Sequence, residues 1–395
     1  INSTSNGTGG FSAFVYGTLT DCVSEINVTS TSTGDRTSGF GFIYASAKLT
    51  GCVNKGAVSG AGANVAGLAA EVEEGVTFVR CGNEGTVTNT GSSKKYTAGL
   101  VAESLPARYE ECYNTGKVVV TDKDKSENVA GLIGYATSGK KDVKMTLVKC
   151  WNAGDVEGAG IVGGLIAASD GSSSYTNPIT LTECYNTGNI SAVASSGKSS
   201  GRPTAGLVAF YTPGSTYTDC YNTGAVTSPH TYVAGIAGYQ KSGPTEQLPL
   251  LISGCYNTGK ITGEKNGVAG IIADMGNYST VEQCYNTGAV NGGYGSAGIA
   301  GRMNSVTARI ANSWNSGNIT TSLNRTGGLV GYGTKGAVEN SFNVGNVTST
   351  ATEGGTSSTK SGYAIGGLAG QGGAAYTNCY NTGVVTGQSQ GGGLI

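Results

Sequence analysis

A single histidine, His230, stands among the 395 residues of this chain. One imidazole excludes a His-Glu-x-x-His metal motif, and a Ser-His-Asp site would have to rest on His230 itself, beside Pro229. No Cys-x-x-Cys pair occurs, so the usual zinc-ligand spacing is missing too, and neither a metal nor a cofactor is expected. Charge is equally scarce: Asp, Glu, Lys and Arg make up 12% of the residues, where about 25% is usual, and the formal net charge is -1. That balance gives no electrostatic reason to bind nucleic acid or an anionic membrane surface. No apolar run approaches the roughly 20 residues that a membrane-spanning helix needs, so this segment is not expected to insert directly into a membrane.

The few carboxylates are poorly placed for acid-base work. Glu110 and Glu111 are adjacent, which a strand sends to opposite faces, and neighbouring copies of the local pattern carry Val79, Arg80, Val148 and Lys149 there. A phosphate-loop-like run from Ala192 to Gly197-Lys198-Ser199 lacks the first glycine and a following helix, so it is read as a coincidence of composition. The chain is therefore expected not to be an enzyme.

What is abundant is glycine, 68 residues and over twice the usual share of about 7%. It recurs in order. Twelve copies of one pattern run through the chain, each starting at a small residue: Cys22, Cys52, Cys81, Cys112, Cys150, Cys184, Cys220, Cys255, Cys284, Ser313, Ser341 and Cys379. The steps between them are 28 to 38 residues, a period that belongs to solenoids, propellers and similar arrays. Six residues after each small residue stands Val or Ile, and three before it an apolar or aromatic residue, without exception. Asn two later and Gly four later hold in every copy but the first, which has Ser24 and Ile26. Between copies lies a second piece such as Ala98-Gly99-Leu100-Val101-Ala102.

Each unit offers two or three strand signals of four to six residues, separated by Gly, Ser, Thr and Asn clusters. Such a unit cannot bury its apolar residues alone, and stacking successive units solves this. The spacing predicts an all-β chain: a right-handed parallel β-helix, or β-solenoid, of about twelve coils with about 32 residues per coil. A propeller needs four antiparallel strands per blade, for which units as short as 28 residues leave too little chain. Residues 1–395 are expected to form one continuous array. Ile1 keeps the spacing to Gly10 that Val58 keeps to Gly67, and Gly392-Gly393-Leu394-Ile395 begins a second piece and stops, so the array is expected to continue beyond this segment.

The runs Ala130-Gly131-Leu132-Ile133-Gly134, Ala234-Gly235-Ile236-Ala237-Gly238 and Gly366-Gly367-Leu368-Ala369-Gly370, alternating with Cys-Tyr-Asn-Thr-Gly-x-Val/Ile, resemble GLUG-type repeats. Such repeats occur in large secreted or surface-attached bacterial proteins, including presumed adhesins and non-catalytic regions of immunoglobulin-A-cleaving metallopeptidases. The resemblance covers essentially the whole chain and implies an extracellular or bacterial cell-surface β-solenoid, with no particular ligand or catalytic residue.

Three columns of residues follow from stacking. The cysteines occupy equal positions in successive coils, where parallel side chains point alike, so a buried column of free thiols is preferred over disulfides between neighbours. The asparagines form a second column. An Asn two residues before Gly can take the left-handed conformation or bond neighbouring backbone, and stacked amides can bond one another. Cys112, Asn114, Cys184, Asn186, Cys220, Asn222, Cys255, Asn257, Cys284 and Asn286 form the expected structural ladder. The third column is aromatic: Tyr113, Trp151, Tyr185, Tyr221, Tyr256, Tyr285, Trp314, Phe342 and Tyr380 follow the small residue immediately and should face outward. Such a stripe either stiffens the coil stack or offers a platform to a glycan or a host or cell-surface protein.

Longer loops, at Gly131 to Cys150, Gly164 to Cys184 and Gly235 to Cys255, and at Ile190 to Gly206 and Val347 to Gly367, are a second candidate surface. Open coil ends also invite end-to-end or lateral self-association, because unpaired strand edges template further strands. The expected function is that of a non-enzymatic structural or adhesive repeat protein, a rigid surface spacer, adhesin or fibre subunit. The alternatives are a glycan-binding solenoid that uses the aromatic stripe, or the non-catalytic stalk of a surface peptidase or polysaccharide-cleaving enzyme.

Overall fold

The structure, a computed structural model, describes residues 1–34, 36–91, 96–122, 128–139, 144–170, 177–194, 201–241, 248–351, 364–387 and 391–394. The chain is all-β, with no helix among the described residues, and folds as a parallel β-solenoid of about ten turns with roughly 31 residues per turn. The twelve copies in the sequence are close to that count. By internal contacts the chain divides into two compact units, Ile1–Lys198 with Lys241–Pro244, and Ser199–Gln240 with Thr245–Ile395. The long-loop expectations and the phosphate-loop-like run fall largely on residues 140–143, 171–176, 195–200, 242–247 and 352–363, which lie outside the described residues.

One coil of the first unit illustrates the plan. Its strands are Tyr113–Asn114, Val118–Val120, Asn128–Ala130, Ile133–Ala136 and Met145–Val148. Five strands of two to four residues thus replace the expected two or three of four to six. The reason lies at the corners. The residue before each small residue is left-handed in all twelve copies, from Asp21 at φ 49° through Arg80, Lys149 and Gln283 to Asn378 at φ 52°, with glycine only at Gly51 and Gly254. A left-handed residue cannot continue a strand, so the chain turns there and a new short strand starts. Of the two readings given for the asparagines, the left-handed conformation does not occur; they sit in the strand that follows the corner and bond neighbouring backbone instead.

Within each unit the strands pair in parallel with the same strand of the next coil, in register apart from a shift between Ala69 and Val72 against Gly41–Ile43. In the first unit Val58, Val87, Val118, Val156 and Ile190 align, as do Phe78, Tyr109, Leu147 and Leu181. The second unit repeats this with Val226, Ile261, Val290, Ile319, Val347 and Val385. Nearly all of these side chains are fully buried, and each contributes about 1.5–3 kcal/mol relative to exposure. The core of each unit is therefore a set of columns of equal residues, which is why the sequence repeats where packing is tightest.

Candidate functional site

The asparagine column is bonded along its length. Asn54 Nδ2 donates to the Gly56 carbonyl at 2.7 Å and to Asn83 Oδ1 at 2.8 Å, and Asn83 does the same to Gly85 and Asn114, both at 2.8 Å. In the second unit the chain of amides runs from Asn222 through Asn257, Asn286, Asn315 and Asn343 to Asn381 at 2.7–2.8 Å. Each buried amide thereby closes its own turn and ties it to the next coil. The ladder has a defined start: Ser24 replaces asparagine in the first copy, and Oδ1 of Asn54 has no partner.

This column also explains the second repeated piece. A Cβ on Gly67 would lie 2.1 Å from Cγ of Asn83, one on Gly99 2.2 Å from Cγ of Asn114, and one on Gly270 2.2 Å from Cγ of Asn286. The glycine is required because the asparagine of the following coil lies against it, so the two pieces of the repeat are one packing unit.

All ten cysteines are free thiols, eight of them buried. Each buried sulfur points along the stack: the Cys112 amide donates to Cys150 Sγ at 3.4 Å, and the Cys220 amide to Cys255 Sγ at 3.4 Å. Ser313 fills the same place, accepting from the Cys284 amide at 3.2 Å. Burial pushes the Cys150 and Cys255 thiols well above their ordinary range. Protonated, enclosed sulfurs are poor nucleophiles and poor metal ligands.

The aromatic column points outward and stacks on itself. Tyr113, Trp151 and Tyr185 lie at centroid distances of 5.0 and 5.9 Å with interplanar angles of 11° and 3°. Tyr221, Tyr256, Tyr285, Trp314, Phe342 and Tyr380 continue the pattern in the second unit at 4.7–6.0 Å and 2–6°. An interior ring such as Tyr285 is therefore covered on both faces and offers only its edge. Tyr113 lies over the backbone of Gly82, where a Cβ would stand 2.3 Å from its ring. A sugar needs an open ring face, so this geometry suits stiffening of the stack better than glycan capture.

A different outward surface carries the chemical variety. The second residue of the fourth strand lies tight against the third strand of the preceding coil; a Cβ on Gly238 would be 2.8 Å from Pro203 Cβ, and one on Gly301 would be 3.0 Å from Gly267 Cα. The two sheets therefore meet in a narrow seam, lined by the third residue of each fourth strand and by residues at the start of each third strand. In the first unit Arg36 reaches Glu71 at 2.7 Å, and Asn64 Nδ2 joins Glu71 and Glu103 at 2.9 and 3.0 Å. Glu71 and Glu103 are in register on adjacent coils. Tyr135 and Ser138 donate to Asp170 at 2.9 and 2.8 Å, and Lys241 stands 3.4 Å from it. Burial raises the Asp170 carboxyl, but these hydrogen bonds and the ammonium outweigh it and hold the group below its ordinary value.

In the second unit the seam carries Phe210, Tyr239, Asp274, Arg302, Tyr332 and Gln371 on the fourth strands. Arg302 donates to Tyr232 Oη at 2.7 Å and pairs with Asp274 at 3.4 Å. Burial outweighs that arginine and raises the Asp274 carboxyl to about 6. Sequence reasoning missed the seam, although its signal is regular: the residue four after the glycine of each second piece is its member, from Glu71 after Gly67 to Gln371 after Gly367.

Among the described residues no group of three or more His, Cys, Asp and Glu side chains could hold a metal ion, and no helix is long and apolar enough to cross a membrane. A cavity of about 170 Å³ lies in the seam of the first unit, lined by Phe14, Arg36 and Phe42 among others. Fold and columns together define the class, a parallel β-solenoid repeat protein. Comparison with protein-family models, curated proteins and solved structures finds no match to this chain.

Proposed function

We propose that this chain is a non-enzymatic structural repeat segment of a bacterial extracellular or cell-surface protein, serving as a rigid spacer, adhesin or fibre subunit. The observation that carries this reading is the bonded asparagine column: the residues that recur from copy to copy tie one coil to the next. The repeated Ala/Gly-Gly-Leu/Ile pieces and their likeness to GLUG-type repeats support a surface location. Buried free thiols fit an oxidising exterior, because reagents do not reach them.

The test is display of the segment on bacteria between an anchor and an epitope, with one, three or five repeats removed. A spacer gives antibody access that rises with the number of coils, and an adhesin gives retention under flow on host-cell or glycan surfaces. Antibody access that ignores coil number, together with no added retention, would sink the proposal.

A further inference from the structure

Four cations in the seam lie over aromatic rings: Arg36 over Phe42 at 4.8 Å, Lys241 over Tyr135 at 5.4 Å, Arg302 over Tyr232 at 5.7 Å, and Arg325 over both Tyr332 and Tyr294 at 4.4 and 4.9 Å. Three of the four are neutralised from within the chain. Glu71 serves Arg36 at 2.7 Å, Asp170 serves Lys241 at 3.4 Å, and Asp274 serves Arg302 at 3.4 Å. Arg325 alone has no carboxylate and no hydrogen-bond partner among the described residues; its Nε is enclosed without a partner, while its two Nη groups reach solvent.

We propose that Arg325, with Tyr294 and Tyr332, is a binding site for the carboxylate of an acidic sugar, a uronic-acid unit of a polysaccharide. The chain's own carboxylates on the other three cations show what completes such a pair chemically. The guanidinium takes a carboxylate in its plane through two parallel N–H donors, and here ring contacts fix its orientation while leaving the Nη fork open. Holding a cation against two rings without an internal anion keeps it preorganised, which lowers the ordering cost of binding.

The surroundings favour a sugar over an acidic peptide. The hydroxyls of Tyr294 and Tyr332 have no partner among the described residues and are open to solvent, and Oε1 of Gln371, beside Tyr332 in register, is enclosed without a partner. Polar groups around a single cation suit one polyhydroxylated carboxylate, whereas an acidic peptide is read by a cluster of arginines. Unlike the ring column, these rings are not stacked face to face: Tyr294 and Tyr332 are inclined at 61°.

Arg325 stands in a left-handed backbone column. It sits at φ 59°, and the equivalent positions of the two preceding coils are Gly267 at φ 70° and Gly295 at φ 69°. The same column also holds Tyr232 at φ 64° and Ala364 at φ 57°, so the position accepts other residues and takes glycine without backbone strain. The site stands whether or not the coils act as a spacer.

The test is isothermal titration calorimetry of the full chain with trigalacturonic acid, its methyl ester, and a tetraglutamate peptide. The free acid should bind, with affinity falling as salt rises; the ester and the peptide should bind at least about tenfold more weakly, as should Arg325→Gln with the acid. Arg325→Gly should also lose the acid, and because glycine suits the left-handed backbone its thermal midpoint should not fall, so misfolding cannot explain the loss. No binding of the acid to the unaltered chain, equal binding of the ester, or full binding by either variant overturns the site. Peptide binding as tight as that of the acid overturns the assignment to a sugar.

Discussion

The side-chain amide of Asn257 stands against the bare Cα of Gly235: a Cβ there would lie 2.5 Å from the asparagine Cγ and 2.2 Å from the carbonyl oxygen of Gly270. Two separate pieces of the repeat meet at this point. Gly235→Ala should therefore be costly although alanine is only one methyl larger, by about 1–3 kcal/mol as for other overpacked cores. Removing the amide as well, in Gly235→Ala with Asn257→Ala, should not restore stability, because the Gly270 carbonyl remains in the way. Chemical denaturation of the single and double variants checks this; full rescue in the double variant would show that the amide alone sets the requirement.

Asn222 donates to Gly224 and Asn257, both at 2.8 Å, whereas Thr223 beside it is exposed. Asn222→Ala leaves a buried carbonyl and a buried amide oxygen without their donor, at about 1–3 kcal/mol. Thr223→Ala removes only a solvated hydroxyl. The thermal midpoint of Asn222→Ala should be the lower of the two, and equal midpoints would count against a ladder that bears on stability.

These columns were legible in the sequence because stacking makes equal positions touch equal positions, so packing demands appear as invariance. Val226 and Ile261 align in space for the reason that they align in the repeat. The strand count was not legible. The corner column holds Arg80, Lys149, Glu183 and Gln283 as readily as Gly51, all left-handed, and no turn signature marks such a mixture. The seam was hidden for the opposite reason to the core: its position is constant while its chemistry changes from Glu103 to Tyr135 and from Asp274 to Arg302. A search for sameness passes over a surface whose residues differ from coil to coil.

The thiol column makes a prediction about reactivity. Cys22 and Cys379 are half-buried and the other eight cysteines are buried, so a thiol reagent should modify two fast and eight only as the chain unfolds. Intact mass without reductant should show ten thiols, and a deficit of about two mass units per pair would reveal bridges between neighbouring coils. Ser313 and Ser341 already stand in the column, where their hydroxyls donate to the Ala311 and Glu339 carbonyls at 2.7 Å. Cys255→Ser should consequently be tolerated better than Cys255→Val, which offers the Cys220 amide no acceptor.

Asp274 predicts a pH dependence of stability. Burial lifts its carboxyl from an ordinary value of 3.8 to about 6, so ionisation costs more in the folded chain than in the unfolded one. Below about pH 3 the group is protonated in both states and imposes no penalty; as pH rises toward 6 the unfolded state releases its proton first, and stability declines until both states are ionised. The full penalty above about pH 6 is at most about 3 kcal/mol. Asp274→Asn removes the ionisation, and Arg302 keeps its bond to Tyr232 at 2.7 Å. Its stability relative to the unaltered chain should therefore rise between about pH 4 and pH 7. Urea denaturation of both proteins across that range provides the measurement, and parallel stability curves would mean that Asp274 ionises near its ordinary value.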